Sequence, residues 1–258
     1  MSGNPVWDPE QYLRFGDERL RPALDLMARV EHPHPARVVD LGCGAGSAMP
    51  ALRARFPGAA LRGVDGSAAM LAKARASGFD TEQADIARWA PADPVDVLFS
   101  NAALHWLPDH AALFPRLLGT LAPGGALAVQ MPQMHSAPVR AAQDRLATEG
   151  AWAARLSAVR SAPPVPDAEW YYDLLAPRTA ALDIWCTEYL HVLRGPDPVA
   201  RWAMGSSLRP YMDALEGEPA LREGFLAAYT AEMRRLYPPR ADGAVLLPFR
   251  RLFMVARV

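Results

Sequence analysis

The residues from Val38 to Gly46 form a short apolar run that ends in an acid and three alternating glycines. This pattern is typical of a buried strand that turns sharply around a ligand. Gly42, Gly44 and Gly46 carry no side chain, so the backbone can take unusual torsions and a bulky ligand can approach the main chain. A strand followed by such a turn indicates the first unit of an α/β protein.

Asp40 lies just before the first glycine and narrows the choice of ligand. A dinucleotide pyrophosphate is bound by free N–H groups at a helix N-terminus, where a nearby carboxylate would repel it. Asp40 instead favours a ligand with positive charge, and S-adenosylmethionine (SAM) carries a sulfonium and an amino group. The glycine spacing is GxGxG rather than GxGxxG, which also disfavours the alternative of a nicotinamide-dependent oxidoreductase.

The chain from Arg37 to Pro132 alternates predicted strands and helices. We predict strands at 37–41, 60–65, 79–84, 95–100 and 126–131, and helices at 47–56, 68–76 and 111–121. Ser67 is the predicted N-cap of the second helix, and Gly78 follows its end. Alternation at this spacing predicts an α/β fold with a doubly wound, mostly parallel sheet.

The segments on either side of this region have a different pattern. Residues 7–30 show helical apolar spacing with Pro22 in a first turn, which predicts two short helices. Beyond Pro132 we predict helices within 137–158, a loop at 161–166, a sixth strand at 182–193, helices within 198–237 and a final strand at 247–258. The insertion between the last two strands is expected to lie above their carboxyl ends as a lid.

Acidic residues follow three successive predicted strands. Asp65 ends the second strand, where a carboxylate can accept hydrogen bonds from both hydroxyls of a ribose. Asp85 follows the third strand and can accept from an adenine amine, while Ile86 offers a backbone N–H and an apolar face. Together these positions indicate one adenosine. The predicted cofactor-binding residues are Asp40, Gly42, Gly44, Asp65, Gly66, Ser67, Met70, Asp85, Ile86 and Asn101.

The charge of the chain is balanced, with 27 Lys and Arg against 28 Asp and Glu. This balance gives no overall bias toward nucleic acid or an anionic membrane. Cys43 and Cys186 lie far apart in the sequence, so neither a disulfide scaffold nor a metal site is expected. The N-terminus has no apolar signal segment, and no apolar stretch is long enough to span a membrane. We therefore expect a cytoplasmic protein, monomeric or weakly homodimeric.

The motif order resembles that of the class I SAM-dependent methyltransferases. It runs through Asp40-x-Gly42-x-Gly44-x-Gly46, Asp65, Asp85 and Pro123-Gly124-Gly125. The resemblance implies a Rossmann-like, seven-stranded sheet in a single domain over 1–258, with SAM as cofactor and S-adenosylhomocysteine as product. Its expected parts are N-terminal cap helices at 1–35, a SAM-binding core at 36–132, a helical lid with the sixth strand at 133–246 and a final strand at 247–258.

Further motifs are similar to the trans-aconitate 2-methyltransferase family over nearly the whole chain. They lie at residues 7–9, 101–110, 130–132, 185–189, 208–210 and 248–253. This resemblance implies methyl transfer to one carboxylate of a small polycarboxylic acid such as trans-aconitate, which gives a monomethyl ester. Alternative acceptors are a malonyl thioester and a natural-product carboxylate or hydroxyl. A SAM-binding module without catalysis is the alternative outside enzymes.

A carboxylate acceptor needs orientation rather than a strong base, because its reference pKa of about 4 leaves it ionised at neutral pH. Arginine, histidine and aromatic donors are suited to that task. His105 and Arg209 are therefore the candidates for orienting the acceptor, although an N-terminal arginine is an alternative clamp. The other predicted substrate-binding residues are Tyr12, Arg19, Trp106, His191, Trp202 and Tyr211.

Overall fold

Strands and helices alternate between Arg21 and Pro132 in the computed structural model, which describes residues 20–157, 159, 163–205 and 207–258. Strands β1 to β5 cover Arg37–Leu41, Ala60–Asp65, Asp80–Gln83, Val95–Asn101 and Leu121–Pro132. Helices α1 to α4 cover Arg21–Ala28, Met49–Arg55, Ala68–Ala76 and His110–Leu118, and Leu104–Trp106 forms a 3₁₀ turn. The more N-terminal of the two predicted cap helices lies outside the described residues.

The chain after Pro132 is mainly helical, with two long strands. Helices α5 to α7 cover Pro138–Ala147, Ala153–Leu156 and Ala168–Leu175, and a 3₁₀ turn covers Ala176–Arg178. Strand β6 covers Ala181–Leu193. Helices α8 to α10 then cover Pro198–Met204, Arg209–Ala214 and Pro219–Leu236, and strand β7 covers Val245–Arg257.

The seven strands form one sheet in the order β3-β2-β1-β4-β5-β7-β6. β1 pairs in parallel with β2 and β4, β2 with β3, and β4 with β5, whereas β7 runs antiparallel to β5. This architecture confirms the predicted doubly wound, mostly parallel sheet of seven strands. Strand order reverses at β1 and β4, and ligands of such sheets bind outside the carboxyl ends of the strands at that point.

The chain divides into two compact units. The described residues of the first unit are 20–132, 165–187 and 251–258, and the second unit comprises 133–164 and 188–250. In the first unit, an apolar core lies on one face of the sheet, where Phe114 of α4 and Tyr171 of α7 pack with strand residues such as Leu98. The second unit has its own core around Phe225 and Tyr229 of α10.

Several elements have the bounds expected from the sequence because short-range signals set them. β1 and β2 have the predicted limits, and α3 begins after Ser67, whose hydroxyl oxygen accepts from the N–H of Met70 at 3.4 Å. Pro22 lies in the first turn of α1, as predicted. Among the described residues, no helix combines the length and the apolar character needed to cross a membrane.

Other elements differ from the prediction for local reasons. The region predicted to be helical at 137–158 contains two helices, and Gly150 between them has a φ of +75°. α4 ends at Leu118, where Thr120 donates from its hydroxyl to the carbonyl of Leu117 at 2.7 Å. Helix α7 was not predicted, since its buried residues, Tyr171 and Leu175, mark only one turn of apolar spacing.

Candidate active site

The glycine turn after β1 is in contact with the loop that follows β4. Gly42 has a φ of +82°, and a Cβ on it would lie 2.1 Å from the Cβ of Ala103 and 3.4 Å from Cδ1 of Ile86. Only glycine fits this backbone and this space. The N–H groups of Gly42 and Cys43 both donate to the carbonyl of Val64, at 2.7 and 3.1 Å. The turn is therefore fixed to the end of β2 and lies against the two loops that frame the crevice.

Asp65 is held by backbone groups from two sides. Its Oδ2 accepts from the N–H of Gly44 at 2.9 Å, and its Oδ1 accepts from the N–H of Ser67 at 2.8 Å. Each carboxylate oxygen can accept more than one hydrogen bond, so both keep acceptor capacity for a ligand. Gly66 and Met70 line the same turn: the Gly66 carbonyl accepts from Nε2 of Gln83 at 3.2 Å, and the Met70 side chain is exposed. The geometry suits a pair of neighbouring hydroxyl groups.

The loop after β3 is anchored to helix α4. Arg116 donates to the carbonyl of Ile86 at 2.9 Å and also to the carbonyl of Trp89. Oδ1 of Asp85 accepts from the N–H of Ala87 at 3.0 Å, and the Asp85 side chain is exposed. A partly buried Ile86 thus lies between an exposed acid and the glycine turn. This arrangement fits the predicted adenine site.

Asp40 is a buried acid of the crevice with a raised pKa. It is 2% exposed, and its Oδ2 is buried with no hydrogen-bond partner in the described part of the chain. Burial and the nearby negative charge of Asp65 raise the pKa of Asp40 to about 7. A buried carboxylate oxygen without a donor costs free energy, which a bound ammonium group would recover. Asp40 therefore fits a cationic ligand.

Cys43 lies in the same turn but is not activated. Burial, together with the charges of Asp40 and Asp65, raises the pKa of the Cys43 thiol to about 12. The thiol is therefore protonated at neutral pH, and a nucleophilic role for it is disfavoured. Cys43 instead packs in a small apolar cluster with Met49 and Leu71.

The end of β4 carries the next candidates. Asn101 is the last residue of β4, and its Oδ1 is buried and unpartnered among residues that the structure describes. The preceding residue, Ser100, donates from its hydroxyl to the carbonyl of Leu41 at 2.7 Å and so joins the ends of β4 and β1. His105 and Trp106 follow in the 3₁₀ turn, with ring centroids 4.8 Å apart. Trp106 is 53% exposed, so it is available to a ligand.

A buried histidine and tyrosine anchor that 3₁₀ turn, and the sequence did not reveal them. Nε2 of His110 lies 3.0 Å from the carbonyl oxygen of Leu104, and its Nδ1 lies 2.5 Å from the hydroxyl of Tyr171. Burial lowers the pKa of His110, so the ring is neutral, donates to Leu104 and accepts from Tyr171. His110 is part of the motif at 101–110, but its partner lies 61 residues away. The pair fixes the backbone that carries His105.

The remaining candidates belong to the second unit. Arg209 is the first residue of α9, its side chain is 74% exposed, and it lies 3.8 Å from the carboxylate of Asp213. Tyr211 is buried and donates from its hydroxyl to Asp144 at 3.1 Å. His191 and Trp202 pack with Phe249 in one aromatic cluster. The predicted candidates Tyr12 and Arg19 lie outside the described residues.

Comparison with known proteins gives consistent matches over nearly the whole chain. A protein-family model described as "Methyltransferase domain" matches residues 12–176. A trans-aconitate 2-methyltransferase of Azoarcus sp. (strain BH72) is 49% identical, over 98% of this chain and 99% of its own length. A trans-aconitate 2-methyltransferase of Methylobacterium nodulans is 50% identical, over 97% and 98%.

A solved structure shares the fold at lower sequence identity. The S-adenosylmethionine-dependent methyltransferase from Mesorhizobium loti matches with a TM-score of 0.51 and 22% identity, over 93% of this chain and 98% of that chain. This likeness agrees with the strand order of the sheet.

Proposed function

This chain belongs to the methyltransferase family and, within it, groups with the trans-aconitate 2-methyltransferases, and we propose that it transfers a methyl group from SAM to one carboxylate of trans-aconitate. The product is then a monomethyl ester. The observation that carries the proposal is the high identity to those enzymes along the full length of the chain, beyond the residues of the cofactor crevice.

The crevice of the first unit fits SAM in charge and in hydrogen-bonding groups. Asp40 offers a buried carboxylate oxygen to the amino group of the methionine part. Asp65, held by Gly44 and Ser67, offers its oxygens to the ribose hydroxyls. Asp85 and Ile86 are the proposed contacts of the adenine. When bound, SAM supplies an electrophilic methyl group on its sulfonium.

The residues near the acceptor have to bind and orient an anion. A carboxylate is ionised at neutral pH, so the protein does not need to remove a proton from it. Orientation and exclusion of water bring the carboxylate oxygen into line with the methyl group. His105 and Trp106 are proposed to contact the acceptor. Both belong to the 3₁₀ turn that His110 anchors.

The remaining candidates for acceptor binding belong to the second unit. Arg209 is the candidate with an exposed guanidinium, which can pair with a carboxylate through two parallel hydrogen bonds. Trp202 and His191 offer aromatic surface and ring nitrogens. Tyr211, whose hydroxyl is bonded to Asp144, is the least available of these candidates.

An acceptor screen with labelled SAM tests the proposal. Purified protein is incubated with trans-aconitate, cis-aconitate, citrate, a malonyl thioester and a phenol, and methylated products are counted. We expect trans-aconitate to be methylated most efficiently, with the other carboxylates behind it. If only the phenol or only the malonyl thioester is methylated, the assignment of trans-aconitate as the methyl acceptor is wrong. Tight SAM binding without turnover on any acceptor would support a binding module instead.

A further inference from the structure

Four polar side chains form a row on one face of the sheet in the first unit. Asp40 on β1 is paired with Phe99, which is two residues before Asn101 on β4. Asn101 is paired with Gln130 on β5, and Pro132 at the end of β5 is paired with Arg251 on β7. Paired residues share a face, as do alternate residues of one strand. Asp40, Asn101, Gln130 and Arg251 therefore lie in a row at the carboxyl ends of the parallel strands.

The opposite face of the same strands is apolar. Val39, Leu98, Val129 and Leu252 belong to the main core of the first unit. The four polar residues thus contrast with the apolar residues on the other face of these strands. Three of them share their face with Asp40, the acid proposed to bind the cofactor. Asp40 is level with Val255 on β7, and Arg251 lies four residues away along that strand. With adjacent strands about 4.8 Å apart and a rise of about 3.3 Å per residue, Asp40 and Arg251 are separated by roughly 20 Å.

Gln130 and Arg251 are both buried and joined by a hydrogen bond. Gln130 is 0% exposed and Arg251 is 6% exposed. Nη1 of Arg251 donates to Oε1 of Gln130 at 3.2 Å. Because Arg251 can only donate, this bond fixes the amide orientation of Gln130. Nε2 of Gln130 is then a buried donor, and it has no hydrogen-bond partner in the described ranges.

The chemistry of this pair suits an anion. A guanidinium is always charged and carries several N–H donors, one of which is directed at Gln130. The unused N–H group of Gln130 adds a second donor on the same face. A planar carboxylate accepts from such a pair of donors, and guanidinium–carboxylate bonds are among the strongest in proteins. The row therefore has the acidic side chain of Asp40, suited to a cationic group, at one end. At the other end it has the cationic side chain of Arg251, suited to an anionic group.

We propose that Arg251 and Gln130 bind a carboxylate of the methyl acceptor, one that does not receive the methyl group. This assignment rests on the proposed function. Hydrogen bonds to the guanidinium occupy the lone pairs that would attack, so a carboxylate held there is a poor nucleophile. Trans-aconitate has three carboxylates, so one can be held while another reacts. The pair then accounts for a preference for polycarboxylic over monocarboxylic acids.

The test compares two binding measurements on the same variants. Isothermal titration gives the Kd of S-adenosylhomocysteine, and then the Kd of trans-aconitate for the protein saturated with that product. For Arg251→Met we expect the Kd of trans-aconitate to rise about 10- to 100-fold, the loss of a charged hydrogen-bonded contact. The Kd of S-adenosylhomocysteine should change less than about threefold. Arg251→Lys should lose part of the acceptor affinity, because it keeps the charge but not the planar donors.

Arg257→Met is the matched control. Arg257 is on the same strand and the same face, but it is exposed and pairs with Ala126 at the other end of the sheet. Its replacement should leave both Kd values unchanged. In turnover, Arg251→Met should also lose the preference for trans-aconitate over a monocarboxylic analogue, which Arg257→Met should keep.

Gln130→Glu keeps the test decisive if Arg251→Met does not fold. A glutamate there places an internal carboxylate next to Arg251, so it should compete with the acceptor and weaken its binding without lowering the Tm. An unchanged Kd of trans-aconitate in both variants would overturn the proposal. A rise in the Kd of S-adenosylhomocysteine instead would assign the pair to the carboxylate of the cofactor and also overturn it. Failure of the wild-type protein to methylate any carboxylate would contradict the proposed function itself.

Discussion

At the scale of single residues, two buried charged side chains of opposite sign lie on one face of the sheet in the first unit. Asp40 is a buried acid whose pKa is raised to about 7 by burial and by Asp65. Arg251 is a buried cationic side chain, and its Nη1 donates to Oε1 of Gln130. In the proposed arrangement, Asp40 faces the amino group of the cofactor and Arg251 faces a carboxylate of the acceptor.

The raised pKa of Asp40 predicts that cofactor binding depends on pH. Below pH 7 the carboxyl group of the ligand-free protein is mostly protonated, and it must lose that proton to pair with an ammonium group. We expect the affinity for S-adenosylhomocysteine to rise by up to about tenfold per pH unit between about pH 5.5 and 7, and then to level off. Isothermal titration calorimetry at a series of pH values measures this change in affinity.

Asp40→Asn is the matched variant for that measurement. It should bind more weakly and show a flatter dependence on pH. A wild-type affinity that stays constant or falls between pH 5.5 and 7 would contradict this role of Asp40.

Asp40 should also affect stability in the absence of ligand. Its folded-state pKa lies above its usual value of about 4, so the folded state binds more protons than the unfolded state between about pH 4 and 7. The contribution of Asp40 to stability is therefore present below pH 4 and is lost as the pH rises to 7. Ligand-free Asp40→Asn should accordingly resist urea better than the wild type at pH 7.5, with a smaller difference at pH 5. The reverse order at pH 7.5 would be inconsistent with a buried, unpaired carboxylate.

Gly42 gives a steric prediction. In Gly42→Ala the new methyl group would lie 2.1 Å from the Cβ of Ala103, at a φ that also strains alanine. We expect a loss of at least about 2 kcal/mol in the free energy of unfolding, and weaker cofactor binding. Gly58→Ala is the control, because no atom lies within 4 Å of its Cβ position. Equal urea midpoints for the two variants would show that the turn adapts.

At the scale of elements, the 3₁₀ turn at Leu104–Trp106 depends on a helix that is distant in sequence. His110 at the start of α4 bonds to the carbonyl of Leu104 and to the hydroxyl of Tyr171 on α7. Arg116, one to two turns further along α4, holds the carbonyls of Ile86 and Trp89. A single helix thus fixes two of the loops around the crevice.

Tyr171→Phe tests this arrangement. It removes the donor to Nδ1 of His110 and leaves a buried acceptor unsatisfied, so we expect a loss of about 1–3 kcal/mol in the free energy of unfolding. Because the turn carries His105, kcat for methyl transfer should fall while the Kd of S-adenosylhomocysteine stays within about threefold. Tyr172→Phe, at the exposed neighbouring position, is the control for both measurements. If Tyr171→Phe has the same kcat as the wild type, the 3₁₀ turn does not contribute to methyl transfer through this hydrogen bond.

At the scale of the whole molecule, the candidates for cofactor binding belong to the first unit, whereas Arg209, Tyr211, His191 and Trp202 belong to the second. This distribution predicts separable defects. Asp65→Ala should raise the Kd of S-adenosylhomocysteine by about 10-fold or more, since it removes the proposed acceptor of the ribose hydroxyls. Arg209→Ala should leave that Kd unchanged and raise the KM for trans-aconitate.

Arg222→Ala, an exposed arginine of α10, is the control for charge in the same unit. If Arg209→Ala and Arg222→Ala have the same KM, Arg209 is not part of the acceptor site.

Much of the first unit could be predicted because its signals are local. The acid and glycines after β1, the hydroxyl cap at Ser67 and the proline at position 22 each act within a few residues. Two buried pairs of the first unit could not be predicted in this way, since Gln130 and Arg251 are 121 residues apart and His110 and Tyr171 are 61 apart. Strand register and helix packing bring them together, and a single sequence does not encode either as a visible pattern.

Transfer of a deuterated methyl group to trans-aconitate tests the central claim most directly. The protein is incubated with SAM that carries a CD₃ group and with trans-aconitate as the acceptor, and the product is analysed by mass spectrometry before and after alkaline hydrolysis. We predict one CD₃ group per product molecule, released as labelled methanol with recovery of unlabelled trans-aconitate, as expected of a monomethyl ester. A label that stays on the acceptor after hydrolysis, or the absence of any labelled acid, would contradict it.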